Sequence, residues 1–128
     1  MNENEIGTIL IETAIDIHKK LGPGLLESVF EVVLAHEIEK RGLKTKRQVR
    51  IPIQFEEISF EEGFRADLII EEKVIVELKS KQELSLSDRK QIQTYLKLSG
   101  LKLGYLLNFG AGLMKHGIVR AVNGLEED

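Results

Sequence analysis

The sequence predicts a single α/β domain, because helical and strand-like patterns occur together in a chain too short for two cores. Apolar residues recur every three or four positions from Glu3 to Leu21 and from Leu25 to about Arg41, as in amphipathic helices. The runs Leu68–Ile70 and Val74–Leu78 are aliphatic, largely β-branched and too short for typical helices, so they predict strands. A chain of 128 residues with 42% hydrophobic content can bury roughly two thirds of its unfolded surface in one core, and we expect one domain spanning residues 1–128.

Composition narrows the function classes. The chain has no cysteine, which excludes disulfides, zinc–thiolate sites, iron–sulfur clusters and thiol catalysis. It has no apolar run long enough to span a bilayer and its first residues are acidic, so we expect no secretory signal and a cytoplasmic location. The formal charge of -3 does not indicate a nucleic-acid binder, and a polyanion would need a local basic surface.

The remaining elements follow from alternation and from turn residues. Proline cannot donate to a central ladder, so Pro52 should confine its strand to an edge of the sheet or itself lie on the non-bonded side of the strand. The predicted elements are a half-buried strand within Lys44–Phe55, a short strand Ile58–Phe60, a turn at Glu61–Gly63, a helix capped near Ser87 and Asp88 that ends at Gly100, a strand Lys102–Phe109 and a further short strand Ile118–Val122.

Three ionisable residues, Asp67, Glu77 and Lys79, lie in the two otherwise apolar strand-like runs of the central hairpin, which a polar tip joins. Side chains alternate along a strand, so Glu77 and Lys79 share a face, and an odd loop such as Glu71–Lys73 places Asp67 opposite one of them. Two carboxylates offer hard oxygen ligands for Mg2+, and an ammonium beside them can orient a nucleophile or stabilise a phosphoryl transition state. The alternative is a cross-strand ion pair on a solvated face, which composition alone favours.

Further candidates surround this patch. Glu27, in the first turn of the second helix, is either an acid that complements the helix dipole or a third carboxylate at the patch. Gln91 and Tyr95 are four residues apart and share a helix face, which either packs ordinarily or faces the patch. The densest cationic stretch either contacts phosphates or is ordinary solvated surface. Its candidate nucleic-acid-binding residues are Lys44, Lys46, Arg47 and Arg50.

The run Leu21–Phe30 closely resembles the signature of the small GxxExxY proteins of bacteria and archaea, with Phe30 in place of their usual Tyr. Nearly the whole chain shares this resemblance, in order. The later blocks that carry it are Gly63–Asp67, Val74–Lys79, Gln91–Leu96 and Leu107–Gly110. That family is grouped with the PD-(D/E)XK, restriction-endonuclease-like superfamily, which implies a mixed central sheet flanked by helices.

The resemblance also implies roles. Asp67 takes the D, Glu77 the (D/E) and Lys79 the K, while Glu27 is the extra acid from a first core helix. Gln91 with Tyr95 matches the Q-x-x-x-Y of certain nuclease branches.

These assignments predict a nuclease that depends on Mg2+ (or Mn2+), with Asp67, Glu77 and the Leu78 carbonyl as metal ligands and Lys79 assisting the attacking water. The expected partner is a nucleic acid, and a homodimer is left open. The rival interpretations are a non-catalytic binding domain that keeps the fold, since fold does not fix function, and a small-molecule metallohydrolase, which needs an apolar pocket.

Overall fold

A computed structural model describes residues 1–126 as helices on both sides of a five-stranded sheet. The elements are α1 Glu3–Leu21, α2 Glu27–Lys40, β1 Thr45–Phe55, β2 Ile58–Ile70, β3 Val74–Lys79, α3 Leu86–Ser99, β4 Leu103–Asn108, a short 3-10 helix Met114–Gly117 and β5 Ile118–Val122. Among the described residues, no helix is both long and apolar enough to cross a membrane. The predicted α/β fold with a mixed sheet and flanking helices is confirmed.

The sheet has the order β1-β2-β3-β4-β5. Its β3 and β4 run parallel, joined through α3, while the other neighbours are antiparallel. The edge position predicted for the Pro52 strand is confirmed, because β1 is an outer strand and its register shifts between Ile51 and Ile53. Such an irregularity accommodates a residue that has no N–H to donate.

Two cores lie on opposite faces of this sheet. Val74, Val76 and Leu78 of β3 belong to the larger core under α1 and α2, whereas Ile75 belongs to the smaller core under α3. This alternation is the one that the sequence predicted for β3. Glu77 lies two residues after Ile75, so its side chain is on the same face of β3, the face toward α3.

The predicted turn at Glu61–Gly63 is wrong, because β2 runs without interruption from Ile58 to Ile70. The chain stays extended because Gly63, which has no side chain, leaves room for the side chain of Ile53 on β1. A Cβ at this position would lie 1.9 Å from Ile53 Cδ1, so no larger residue fits against the register shift. Together β1 and β2 therefore form one long hairpin, which ends at the turn of Glu56 and Glu57.

Two predicted helix starts are corrected as well. The N-cap of α3 is Ser85 rather than Ser87, since Ser85 and Asp88 form a capping box, which requires a spacing of three. The second helix begins at Glu27, because Leu26 is still extended with φ -67 and ψ 149. This start places Glu27 in the first turn of α2.

Candidate active site

A polar cleft of about 620 Å³ opens where the first turns of α2 meet Asp67, in the interior of β2, and the C-terminal end of β3. Its lining joins acids from three elements, α2, β2 and β3, to one amine and one amide. The charged and amide groups are Glu27, Glu31, Gln48, Asp67, Glu77 and Lys79. Four carboxylates against one lysine give the cleft a net negative charge, which favours a cation as its occupant.

Asp67 and Glu77 lie at the point where β2 and β3 diverge. The strand pairing of this hairpin ends at Leu68 opposite Val76, and the next position of the same register places Asp67 opposite Glu77. The backbone N–H of Asp67 donates to Glu77 Oε1 at 3.1 Å, and the N–H of Leu78 donates to Asp67 Oδ2 at 2.8 Å. The prediction that both acids lie together on adjacent antiparallel strands is therefore confirmed.

The two acids are costly to keep charged in the absence of a cation. Burial, followed by the charge of Asp67, raises the pKa of Glu77 to about 8. Burial also raises the pKa of Asp67, with a smaller contribution from the charge of Glu31, although the N–H of Leu78 works against the rise. With a pKa of about 8, Glu77 is largely protonated at neutral pH when no cation is present.

Lys79 follows these acids at the end of β3, and its side chain lines the cleft. Its charge is close enough to lower the pKa of Glu77, although burial has the larger effect. Within residues 1–126 its ammonium forms no salt bridge with any carboxylate. The structure therefore does not support the alternative of a simple cross-strand ion pair.

Asn108 anchors the backbone segment that follows Lys79. In the parallel register Asn108 is the partner of Lys79, and the N–H of Phe109 donates to the Lys79 carbonyl at 2.9 Å. The buried Asn108 amide accepts from the N–H groups of Lys81 and Gly110 and donates to the Lys81 carbonyl at 2.9 Å. A Cβ on Gly110 would lie 2.3 Å from that carbonyl oxygen, which explains a glycine at this position.

Sequence reasoning missed Glu31, the most buried acid of α2. Only 6% of Glu31 is exposed, and its Oε2 accepts from Arg47 Nε at 3.0 Å and from Arg47 Nη2 at 2.9 Å. Gln48 Nε2 donates to Glu31 Oε1 at 2.6 Å and, more weakly, to Asp67 Oδ1 at 3.4 Å. Glu31 lies one helical turn after Glu27, so the i,i+4 spacing was the signal that could have identified it.

Gln48 links the helix to the hairpin through an unusual backbone conformation. Its φ of 51 is left-handed, which is uncommon for a residue other than glycine. The neighbouring pairs Arg47–Leu68 and Val49–Ala66 keep one register, so Gln48 departs from the strand only locally. This local departure accompanies an amide that reaches both Glu31 and Asp67.

Of the three other predicted catalytic residues, one lines the cleft and two do not. Glu27 lines the cleft but is exposed. Tyr95 stacks on Phe64 with ring centroids 3.8 Å apart, and burial followed by the charges of Glu77 and Asp67 raises the pKa of its hydroxyl. Gln91 is half-buried one turn earlier on α3, and neither it nor Tyr95 lines the cleft.

The four predicted phosphate-binding cations do not form a free basic patch. Lys46 pairs with Glu72 at 2.9 Å, and Arg50 with Glu62 at 3.7 Å. Arg47 is held by Glu31, as described above. Lys44 alone of the four makes no salt bridge within the described chain. Phosphate contact through these residues stays a prediction, and three of them would have to exchange an acid for a phosphate.

The carboxylates of the cleft can be compared with the ligands that a divalent ion requires. Across residues 1–126, no three His, Asp or Glu side chains are grouped as a ready metal cage. Magnesium does not require one, because it commonly takes one or two carboxylates and keeps several waters. Asp67 and Glu77 fit this donor set, because both are carboxylates that line one cleft on adjacent strands.

A mixed sheet that carries Asp, Glu and Lys at the ends of an internal hairpin is the arrangement of a nuclease-like fold. Residues 4–121 match the family model of the PD-(D/E)XK nuclease superfamily. The match covers more than half of the chain, and the protein belongs to this superfamily. Comparisons with curated proteins and with solved structures gave no match.

Proposed function

We propose that the protein is a nuclease that hydrolyses phosphodiester bonds in DNA or RNA with Mg2+ or Mn2+ as its cofactor. The observation that carries this proposal is a pair of buried, mutually repelling carboxylates, Asp67 and Glu77, beside a lysine that does not neutralise them. Nucleases of this superfamily typically use divalent metal ions, and nucleic acid is their usual substrate. Charge repulsion of this kind is more often found at functional sites than in purely structural ones.

Asp67 and Glu77 would hold the ion, with the Leu78 carbonyl as a further ligand. Leu78 lines the cleft although the residue as a whole is only 2% exposed, and its side chain belongs to the larger core. A bound divalent ion would supply Lewis acidity and would lower the pKa of a coordinated water. The cleft volume of about 620 Å³ leaves room for water and a phosphate group beside these ligands.

The chain's own residues supply the rest of the chemistry. Lys79 can orient the attacking water and stabilise the negative charge that develops on the phosphate oxygens. Asn108 holds the backbone that carries Lys79, and Gln48 restrains Asp67 from the other side. Glu27 is proposed as an additional acid at the mouth of the cleft.

On α3, Tyr95 offers a hydroxyl within electrostatic reach of the carboxylates. Gln91 is proposed to act from the same helix face, one turn away. The Leu21–Phe30 run supports placing the protein among the GxxExxY proteins of this superfamily, which is likewise part of the proposal.

The test is a cleavage assay on single-stranded and double-stranded DNA and RNA, with Mg2+, with Mn2+ and with EDTA. We expect cleavage only with metal, and we expect Asp67→Asn and Lys79→Met each to lower its rate by two orders of magnitude or more. The exposed Lys97→Met on α3 is a matched control for Lys79→Met. Cleavage that survives EDTA, or that is unchanged in both site variants, would refute the proposal.

The second candidate is a binding domain that keeps the fold without catalysis. The lack of a three-residue metal cage within residues 1–126 is the observation in its favour. It predicts nucleic-acid binding in EDTA with the same affinity as in Mg2+ and no product in any reaction. Turnover of small phosphodiesters without polymer cleavage would instead indicate a metallohydrolase of small molecules.

A further inference from the structure

The far end of the β1–β2 hairpin is an apolar arm that leaves the body of the sheet. Phe55 pairs with Ile58, and Ile53 pairs with Phe60. Residues that are opposite each other, or two apart on one strand, share a face, so these four side chains lie on the same side of the arm. Phe55 is 64% exposed, Ile58 56% and Phe60 52%, so this face lacks a covering layer.

The charges around the arm restrict what can cover it. Glu56 and Glu57 form its turn and Glu61 follows Phe60, and all three acids are exposed. Acids at these positions repel phosphate, so a nucleic acid is disfavoured. They also repel the same acids of a second arm, so face-to-face pairing of two arms is disfavoured. An apolar patch of this kind rimmed by polar groups is typical of a protein-binding surface.

A second feature of the molecule has the complementary chemistry. A cavity of about 290 Å³ lies between α1 and the 3-10 helix, and its walls are mostly apolar, including Ile15, Leu113 and Met114. Lys19 and Lys115 are exposed at this cavity. Its volume is at the lower end of ordinary ligand pockets, so it suits an aromatic ring rather than a large ligand. Its rim is basic where the arm is acidic.

We infer that the arm of one copy of this chain docks into the cavity of a second copy, with Phe55 as the apolar anchor and Lys19 and Lys115 facing the arm's acids. The contact joins two different surfaces, and two copies related by a two-fold axis that exchange arms make it twice, which closes a dimer. The inference rests on the arm and the cavity, neither of which contains a residue of the candidate active site. Its test is therefore independent of any nuclease activity.

The experiment is sedimentation velocity of the full chain over a series from low micromolar to submillimolar concentration. We expect a reversible monomer–dimer equilibrium in the wild type. Phe55→Ser should weaken it by roughly 30-fold, the loss typical of an aromatic anchor at an interface. Lys115→Glu should weaken it by several-fold through like charges at the rim, and adding Glu57→Lys to that variant should restore it.

Lys97→Glu is the matched charge-reversal control, since Lys97 is exposed on α3 and lines neither surface. Phe55 is already exposed, so circular dichroism and thermal melts should show Phe55→Ser folded like the wild type. A wild type that stays monomeric at every concentration overturns the inference. So does a dimer that Phe55→Ser disrupts but Lys115→Glu leaves intact, because the arm then binds elsewhere.

Discussion

Replacement of Asp67 by Asn should leave the metal-free protein as stable as the wild type or more stable at high pH, and should make it less stable at low pH. Glu77 has a pKa of about 8 in the folded state, against 4.5 in its ordinary state. Between these two values the folded protein binds a proton that the unfolded chain does not, so the free energy of unfolding falls as pH rises. At 1.36 kcal/mol for each pH unit, the free energy of unfolding falls by at most about 5 kcal/mol over this range.

Asp67 contributes to this fall, because its charge is the second largest cause of the raised pKa of Glu77. The asparagine side chain of the variant would keep an oxygen to accept from the Leu78 N–H, so the variant loses about 1 kcal/mol at the change from a charged to a neutral hydrogen bond. Relief of the repulsion should return about 1–2 kcal/mol above pH 8. We therefore expect the variant to be as stable as the wild type or more stable at pH 8.5, and less stable at pH 5.

Divalent metal should separate this account from a structural one. Metal at a hundredfold excess over its Kd adds about 2.7 kcal/mol to the wild type, and Asp67→Asn should abolish that gain. The measurement is denaturant and thermal unfolding of both proteins at pH 5 and 8.5, with EDTA and with Mn2+. The exposed Glu12→Gln on α1 is the control and should behave as wild type.

A structural ion pair predicts the reverse behaviour. If Asp67 served to neutralise a buried cation, its loss would cost about 3 kcal/mol or more at neutral pH, and metal would matter little. A variant that is destabilised in EDTA at pH 8.5, together with a wild type indifferent to Mn2+, would refute the reasoning.

Three further outcomes are expected. Metal binding at pH 7 should release a proton, because Glu77 is largely protonated below its pKa of about 8; calorimetry in buffers of different ionisation enthalpy would show no buffer dependence if this is wrong. Asn108→Ala should destabilise the fold by about 2–3 kcal/mol, since it leaves the Lys81 backbone groups unpaired. The variant should cleave more slowly but keep the metal-induced shift in melting temperature. Loss of that shift would contradict the interpretation that Asn108 acts only by positioning Lys79. Nucleic-acid binding should weaken with salt, with a log–log slope of roughly -0.9 per phosphate contact, and a combined alanine variant should flatten that slope if the basic residues contact phosphate. The variant changes Lys44, Lys46, Arg47 and Arg50.

The central hairpin was predictable because its determinants are local. The three residues Glu71–Lys73 set the register, and β-branched alternation sets the faces, so the positions of Asp67 and Glu77 followed from residues close in sequence. The pairing of β3 with β4 is different, because a parallel crossover joins segments that are far apart in the chain. The sequence alone did not indicate that Asn108 would be the partner of Lys79.

Glu31 and Gln48 could not be placed from local pattern. Their contact depends on how α2 packs beside β1, and on a left-handed backbone at Gln48 that glutamine rarely adopts. The ion pair of Arg47 could not be predicted for the same reason. Its charge suggested a phosphate contact, but charge pattern does not identify a partner such as Glu31, 16 residues away in sequence.

How the acids of the cleft are held argues for a bound cation. Asp67 and Glu77 are fixed by backbone N–H groups, which can orient a carboxylate but carry no net charge to cancel it. Glu31 is treated differently, because the guanidinium of Arg47 neutralises it. Lys79 is near enough to affect Glu77, yet it stays out of a salt bridge within the described chain. The protein thus neutralises the peripheral acid and leaves the central pair short of positive charge, which a proton supplies in part and a divalent ion would supply in full.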